Sequence, residues 1–182
     1  MKPWKTLSSE PVLSIGKWLG VEDRTVETPT GEVIEHWAWV TSPDYVTVLP
    51  VTGDGRFMVF EQGKYGLEGL SLAPVGGLVE PGEEPMQAAQ RELLEETGCR
   101  AAEWHLLGSF VTDPNRGMAR GSLFVARGVC QVAEPTGGDL EEQQLVYMTR
   151  AGLEDALLEQ RFMVLAWATT VSLGLNLLDR LD

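Results

Sequence analysis

A chain of 182 residues, 43% of them hydrophobic, is long enough for one domain with its own core plus an N-terminal extension. Its 27 acidic against 14 basic side chains give a formal net charge of −13, which repels a phosphate backbone and excludes nucleic acid as a default partner. An acidic chain that nevertheless handles phosphates needs divalent cations to reverse the local field.

The first residues, MKPWKTLSSEPVLSIGKW, lack the apolar core and cleavage site of a signal peptide, so no export is expected. Residues 12–40 hold a hairpin pattern in which Pro29, Thr30 and Gly31 supply the turn, predicting a small antiparallel β extension over residues 1–42. YVTVLPVTGDGRFMVFEQ then reads as two strands around a TGDG turn. Pro85 suits a first helical turn and Gly98 a C′ position, so Pro85 to Thr97 is predicted helical, with Met86, Ala89 and Leu93 on its buried stripe. SLFVARGVCQV and QQLVYMT read as further strands, followed by helices over about Leu153–Leu158 and Phe162–Leu178. The last of these has seventeen uncharged residues, the lower limit of a membrane span, but Thr169, Thr170, Ser172 and Asn176 interrupt it. It is expected to pack on the core, with no membrane partner. The class is α/β (α+β): an α/β/α sandwich around a mixed β-sheet.

Cys99 and Cys130 have neither CxxC spacing nor enough partners for a metal site, so both are expected to be buried thiols of a cytoplasmic protein. His36 and His105 have no partner spacing and read as structural or surface residues.

The unusual feature is PVGGLVEPGEEPMQAAQRELLEETGCR. On a helix turning about 100° per residue, Glu92, Glu95 and Glu96 fall within an arc of roughly 100°, so their carboxylates share one face. Glu95 and Glu96 also lie in the last turn, where the helix dipole disfavours acidic side chains. A solvated face is the bland explanation. Bound divalent cations would turn the repulsion into attraction, and carboxylate oxygens select Mg²⁺ or Mn²⁺ over softer metals. Arg91 can pair with a neighbouring carboxylate, and Gly76 and Gly77 allow a main-chain carbonyl to approach a metal.

Gly77, Glu83 and the run from Arg91 to Cys99 match the Nudix box, G-x5-E-x7-R-E-U-x-E-E-x-G-U, at every fixed position, with Cys99 a less usual final apolar residue. The chain therefore resembles the Nudix hydrolases over about residues 45–178, and residues 43–182 are expected to form the Nudix domain. The resemblance implies a hydrolase of a nucleoside diphosphate linked to another moiety. It implies Glu92 and Glu96 as principal Mg²⁺ (or Mn²⁺) ligands, Glu95 as an auxiliary one and the Gly76 carbonyl as a further one. Arg91 would orient a glutamate, and Glu83 would brace the loop against the helix.

Pro114, sixteen residues after Gly98, resembles the proline marker of ADP-ribose pyrophosphatases. That branch implies ADP-ribose or another nucleoside diphosphate-sugar as substrate, and an N-terminal extension that helps form a homodimer and a base-binding wall. Trp37 and Trp39 are then candidates to stack a purine, or else to pack on a strand face. The general base of the branch is implied in TGGDLEEQQLVYM: Glu142 fits E-x-x-x-V best, Glu141 is the alternate and Asp139 third, with Gly137 and Gly138 giving the loop freedom. Two departures stand out. The family's Q-Y-R appears as Gln62, Gly63, Lys64 and Tyr65, and the acidic residue often found four places before the box glycine is Ala73. Lys64 or Arg116 is expected to supply the missing cation, although lysine offers a point charge in place of a bidentate fork. Another diphosphate substrate, such as a dinucleotide, coenzyme A or a nucleoside triphosphate, is the alternative, and a nucleotide-sensing domain without turnover a further one.

Overall fold

The computed structural model describes residues 2–137 and 142–181. Three strands come first, β1 (Lys5–Ile15), β2 (Leu19–Glu27) and β3 (Val33–Thr41), paired antiparallel in that order. The second turn is built by Thr28, whose hydroxyl accepts from Glu32 N at 3.1 Å, and by Gly31 at φ 89°. The expected hairpin is thus β2–β3, and β1 is an additional strand with all eleven residues exposed. No apolar alternation marks it in the sequence, because neither of its faces is buried.

The chain divides into two units by contact: residues up to Asp44 group with Phe110–Arg120, and Tyr45–Ser109 with Gly121 onward. The second unit holds β4 (Tyr45–Thr52), β5 (Phe57–Gly63), β6 (Leu70–Ala73), β7 (Val75–Leu78), α1 (Pro85–Thr97) and β8 (Cys99–Arg100). Then follow β9 (Glu103–Asp113) and β10 (Met118–Gln131), whose far ends Phe110–Arg120 belong to the first unit, then β11 (Gln143–Met148), α2 (Arg150–Leu158) and α3 (Leu165–Leu181). The sheet runs β11-β5-β4-β10-β8, with β4 parallel to β10 and antiparallel to β5 and β7, so it is mixed.

Side chains alternating along a strand face opposite sides of a sheet. Val46, Val48, Met58, Phe60 and Phe124 pack with Ala88, Ala89 and Leu93 of α1. Leu49, Val51, Phe57, Val59 and Val125 pack with Leu153 and Ala156 of α2 and with Val171, Leu175 and Leu178 of α3. The α/β/α sandwich follows, and β4 reads as a nearly continuous apolar run because it is buried on both faces.

Helix α1 has the bounds that its Pro85 and Gly98 predict: Gly98 takes φ 68° and its N–H donates to Leu94 O at 2.8 Å. Helix α2 begins three residues earlier than expected, because the Thr149 hydroxyl accepts from Gly152 N at 3.2 Å and caps it. Helix α3 begins three residues later than expected. Leu72 N donates to Arg161 O at 2.8 Å and Met163 N to Ser71 Oγ at 3.0 Å, which holds 161–163 against β6 and buries Phe162 outside the helix. Among the described residues no helix is long and apolar enough to cross a membrane. Cys99 is buried as expected, whereas Cys130 is exposed, and both are free thiols. Cys130 pairs with Arg100 of the short strand β8, whose two residues leave its side chain uncovered.

Candidate active site

Arg91 organises the face of α1 that carries the carboxylates. Its Nε and Nη2 donate to the two oxygens of Glu83 at 2.9 and 3.0 Å, a bidentate fork, and Nη2 also donates to Leu78 O at 2.9 Å. Its Nη1 donates to Glu92 Oε1 at 2.7 Å and to Glu95 Oε2 at 3.1 Å. Glu83 in turn accepts from Glu80 N at 3.0 Å, so the loop between β7 and α1 is tied to the helix through one carboxylate. The remaining member, Glu96, accepts from Gly76 N at 3.1 Å and so joins the helix to β7.

The glycines allow these close approaches. A Cβ on Gly77 would overlap the Glu92 carboxylate, and one on Gly76 would overlap the Val46 carbonyl. The Arg91 bonds hold Glu83 below the usual carboxylate range. Burial pushes Glu92 above it, against the pull of Arg91, and the neighbouring charges of Glu95 and Glu83 add to the rise.

Three carboxylates on one guanidinium, with a fourth held by Gly76 N, form a donor set of hard oxygens in excess negative charge, which fits a divalent cation. In this arrangement three of them are drawn onto Arg91, and among the described residues no group of three acidic, His or Cys side chains is gathered as a ready metal shell. Seating a cation would require carboxylates to turn from the guanidinium.

Three further residues of this unit lie in or beside β5 and β11. Lys64 is half-buried just after β5. Glu142 is exposed, immediately before β11, where Gln143 pairs with Gln62. Glu141 and Asp139 lie outside the described residues. Gln62 was singled out in the sequence only as part of the departed Q-Y-R pattern. It is 5% exposed, its Oε1 has no hydrogen-bond partner among the described residues, and strand alternation places it on the same side as Met58 and Phe60, the side of α1.

The other unit holds the tryptophans. Glu35 and His36 together stand opposite Thr25, between the pairs Arg24 with Trp37 and Val26 with Ile34, and His36 takes φ 58° at this bulge. Beyond it, Trp39 has two close neighbours: the Arg24 guanidinium lies 4.1 Å from its ring centroid, and Gly117 packs so close that a Cβ there would overlap the ring. Arg24 is itself fixed by Glu22, at 2.9 Å from Nε and 2.7 Å from Nη2, and Ser9 Oγ donates to Glu22 at 2.6 Å. Trp37 donates through Nε1 to Asn115 O at 2.9 Å, has Arg116 5.6 Å over its ring and meets Trp4 at 5.5 Å. Trp4, Arg24, Trp37, Trp39 and Pro114 line a recess of about 360 Å³. The residues missed by sequence reasoning are Trp4 and Arg24. No local pattern marks either, since both reach the recess through strand pairing.

The NUDIX domain family matches residues 41–167. The ADP-ribose pyrophosphatase of Bacillus subtilis (strain 168) is 32% identical over 158 residues, covering 84% of this chain and 80% of that protein. The methanol dehydrogenase activator of Bacillus methanolicus is 32% identical over 155 residues, with the same shares covered. A solved structure described as a crystal structure of ADP compounds hydrolase superposes with a TM-score of 0.82 at 22% identity, over 100% of this chain and 97% of that one, which shows a shared fold.

Proposed function

Because the chain belongs to the Nudix family and is a pyrophosphohydrolase, we propose that it hydrolyses the diphosphate linkage of ADP-ribose or a related nucleoside diphosphate-sugar in the presence of Mg²⁺ or Mn²⁺. The observation that carries this is the Arg91 cluster, in which one guanidinium fixes three of the four box glutamates while Gly76 fixes the fourth. Water adds to one phosphorus, the bridging P–O bond breaks, and a nucleoside monophosphate and a sugar phosphate leave. Glu92, Glu96, Glu95 and the Gly76 carbonyl would hold the cation. Bound there, it lowers the pKa of water and neutralises charge on the phosphoryl oxygens.

The rest falls to the chain's own groups. Arg91 keeps Glu92 and Glu95 from turning at random, and Glu83 keeps Arg91 in place. Glu142, or Glu141, takes the proton of the attacking water. Lys64 supplies a positive charge to a substrate phosphate where the family has arginine. In the first unit, Trp37 and Trp4 offer ring surface to the adenine and Pro114 and Arg116 border it. Trp39 meets Arg24, and both line the same recess. A homodimer is supported by β1, which presents Leu7, Val12, Leu13 and Ile15 about half exposed or more along an edge that no described strand pairs. The two free thiols suit a reducing, cytoplasmic compartment.

A second reading, activation of a partner dehydrogenase, is favoured by the equal likeness to the Bacillus methanolicus protein. The deciding experiment incubates the protein and Glu96→Gln with Mg²⁺ and a panel of ADP-ribose, GDP-mannose, UDP-glucose, NADH, coenzyme A and diadenosine polyphosphates. Release of AMP and ribose 5-phosphate from ADP-ribose, lost by about a hundredfold or more in Glu96→Gln, is expected, since changes to groups that only orient a metal ligand already cost about 10–100-fold. Preference for another compound would reject the substrate, and no turnover of any would reject the hydrolysis.

A further inference from the structure

The last turn of α1 has two electrostatic difficulties. Glu95 and Glu96 add negative charge to the negative end of the helix dipole, and the final carbonyls lack intrahelical donors. The segment after β10 donates to the Glu95 carbonyl of this turn and to the Gly98 carbonyl just beyond it. Val132 N and Ala133 N donate to Gly98 O at 2.8 and 3.0 Å, and Thr136 N and Gly137 N donate to Glu95 O at 2.9 and 2.7 Å. Four N–H dipoles thus face the end of the helix where the acidic side chains stand.

Gly137, expected from the sequence to be part of a freely moving loop, is the tightest of these contacts. A Cβ on it would lie 3.1 Å from Glu95 O and 3.3 Å from Glu96 Cα. Its φ is outside the left-handed region, so alanine could adopt the backbone without strain, and only the contact with α1 opposes a side chain. Glu96 is meanwhile held from the other direction by Gly76 N. A displacement at Glu96 Cα has to be taken up by its carboxylate or by the bond to β7.

We propose that Gly137 is a positioning residue for the carboxylates at the end of α1, and that its N–H and its missing Cβ set the affinity of the chain for a divalent cation. This rests on the reading of Glu92, Glu95 and Glu96 as cation ligands.

The test titrates metal-free protein with Mn²⁺, following the free ion by electron paramagnetic resonance, and records the metal-free melting temperature. Wild type, Gly137→Ala, Glu96→Gln and Gly53→Ala are compared, the last because a Cβ at Gly53 meets nothing within 4 Å. Gly137→Ala is expected to raise the Kd for Mn²⁺ about tenfold with its metal-free melting temperature unchanged, while Gly53→Ala matches wild type. A wild-type Kd in Gly137→Ala, or a loss of affinity matched by a fall in melting temperature, overturns the inference and leaves the ligand reading standing. No Mn²⁺ uptake by wild type, or undiminished uptake by Glu96→Gln, overturns the ligand reading and this inference with it.

Discussion

Around Arg91 a single guanidinium meets three carboxylates through hydrogen bonds of 2.7–3.1 Å, whereas around the tryptophans the guanidiniums of Arg24 and Arg116 lie over ring faces at 4.1 and 5.6 Å. The first cluster is half-buried and charged on every side. In the second, Trp37 and Arg116 are held near the surface mostly by ring faces and one backbone carbonyl. Charge-assisted hydrogen bonds are directional and fix atoms, while contacts over a ring are broad and fix a surface. The carboxylate cluster therefore suits a role in which atoms must be placed. The tryptophan recess suits one in which a flat group must be covered.

The strongest way to break this contrast is to remove the organiser. Arg91→Met leaves Glu83, Glu92 and Glu95 without their shared cation, and since the group is partly exposed the loss is expected near the lower end of the range for broken buried pairs, about 3 kcal/mol. Urea unfolding measures it, and a loss no larger than that of a surface pair would show the cluster to be ornamental. Trp37→Ala sharpens the other side. The KM for ADP-ribose should rise by the equivalent of about 1–3 kcal/mol with kcat nearly kept, as expected for a stacking contact. A fall in kcat alone would remove Trp37 from the base wall.

Gln62→Met comes next. Leaving a buried acceptor unpaired costs about 1–3 kcal/mol, so replacing it with an isosteric apolar side chain should raise the midpoint of unfolding. If hydrolysis falls at the same time, the idle Oε1 serves the substrate; unchanged stability would mean the acceptor is already satisfied. The smallest effect concerns acid. The pKa of Glu83 is depressed in the fold, so its contribution is present above the ordinary carboxylate range and is lost as pH falls through its folded value. Metal-free Glu83→Gln should thus be less stable than wild type at neutral pH, and the two curves should converge on acidification. Parallel curves would show that Arg91 does not hold this carboxylate.

The carboxylate cluster was legible because its geometry is local. Arg91, Glu92, Glu95 and Glu96 share one helix, and Glu83 sits one loop away, so the box spacing and the helical period place them together. Helix α1 was equally legible, since Pro85 and Gly98 mark its ends by their own backbone preferences. The starts of α2 and α3 were less so: one is set by the Thr149 cap, the other by bonds from Arg161 and Met163 to β6, which is distant in sequence. Strand β1 was missed because an exposed strand needs no apolar alternation.

By itself the sequence determined the identity and helical face of the carboxylates, the glycines beside them, the bounds of α1 and the two strands around the TGDG turn, all consequences of backbone period and side-chain preference. Only the tertiary structure decided that Arg24 and Gly117 meet Trp39 while Trp4 reaches Trp37, and that Gly137 rests on the end of α1. Each of these joins residues far apart along the chain, and such contacts are selected by strand register and packing, which no local preference encodes.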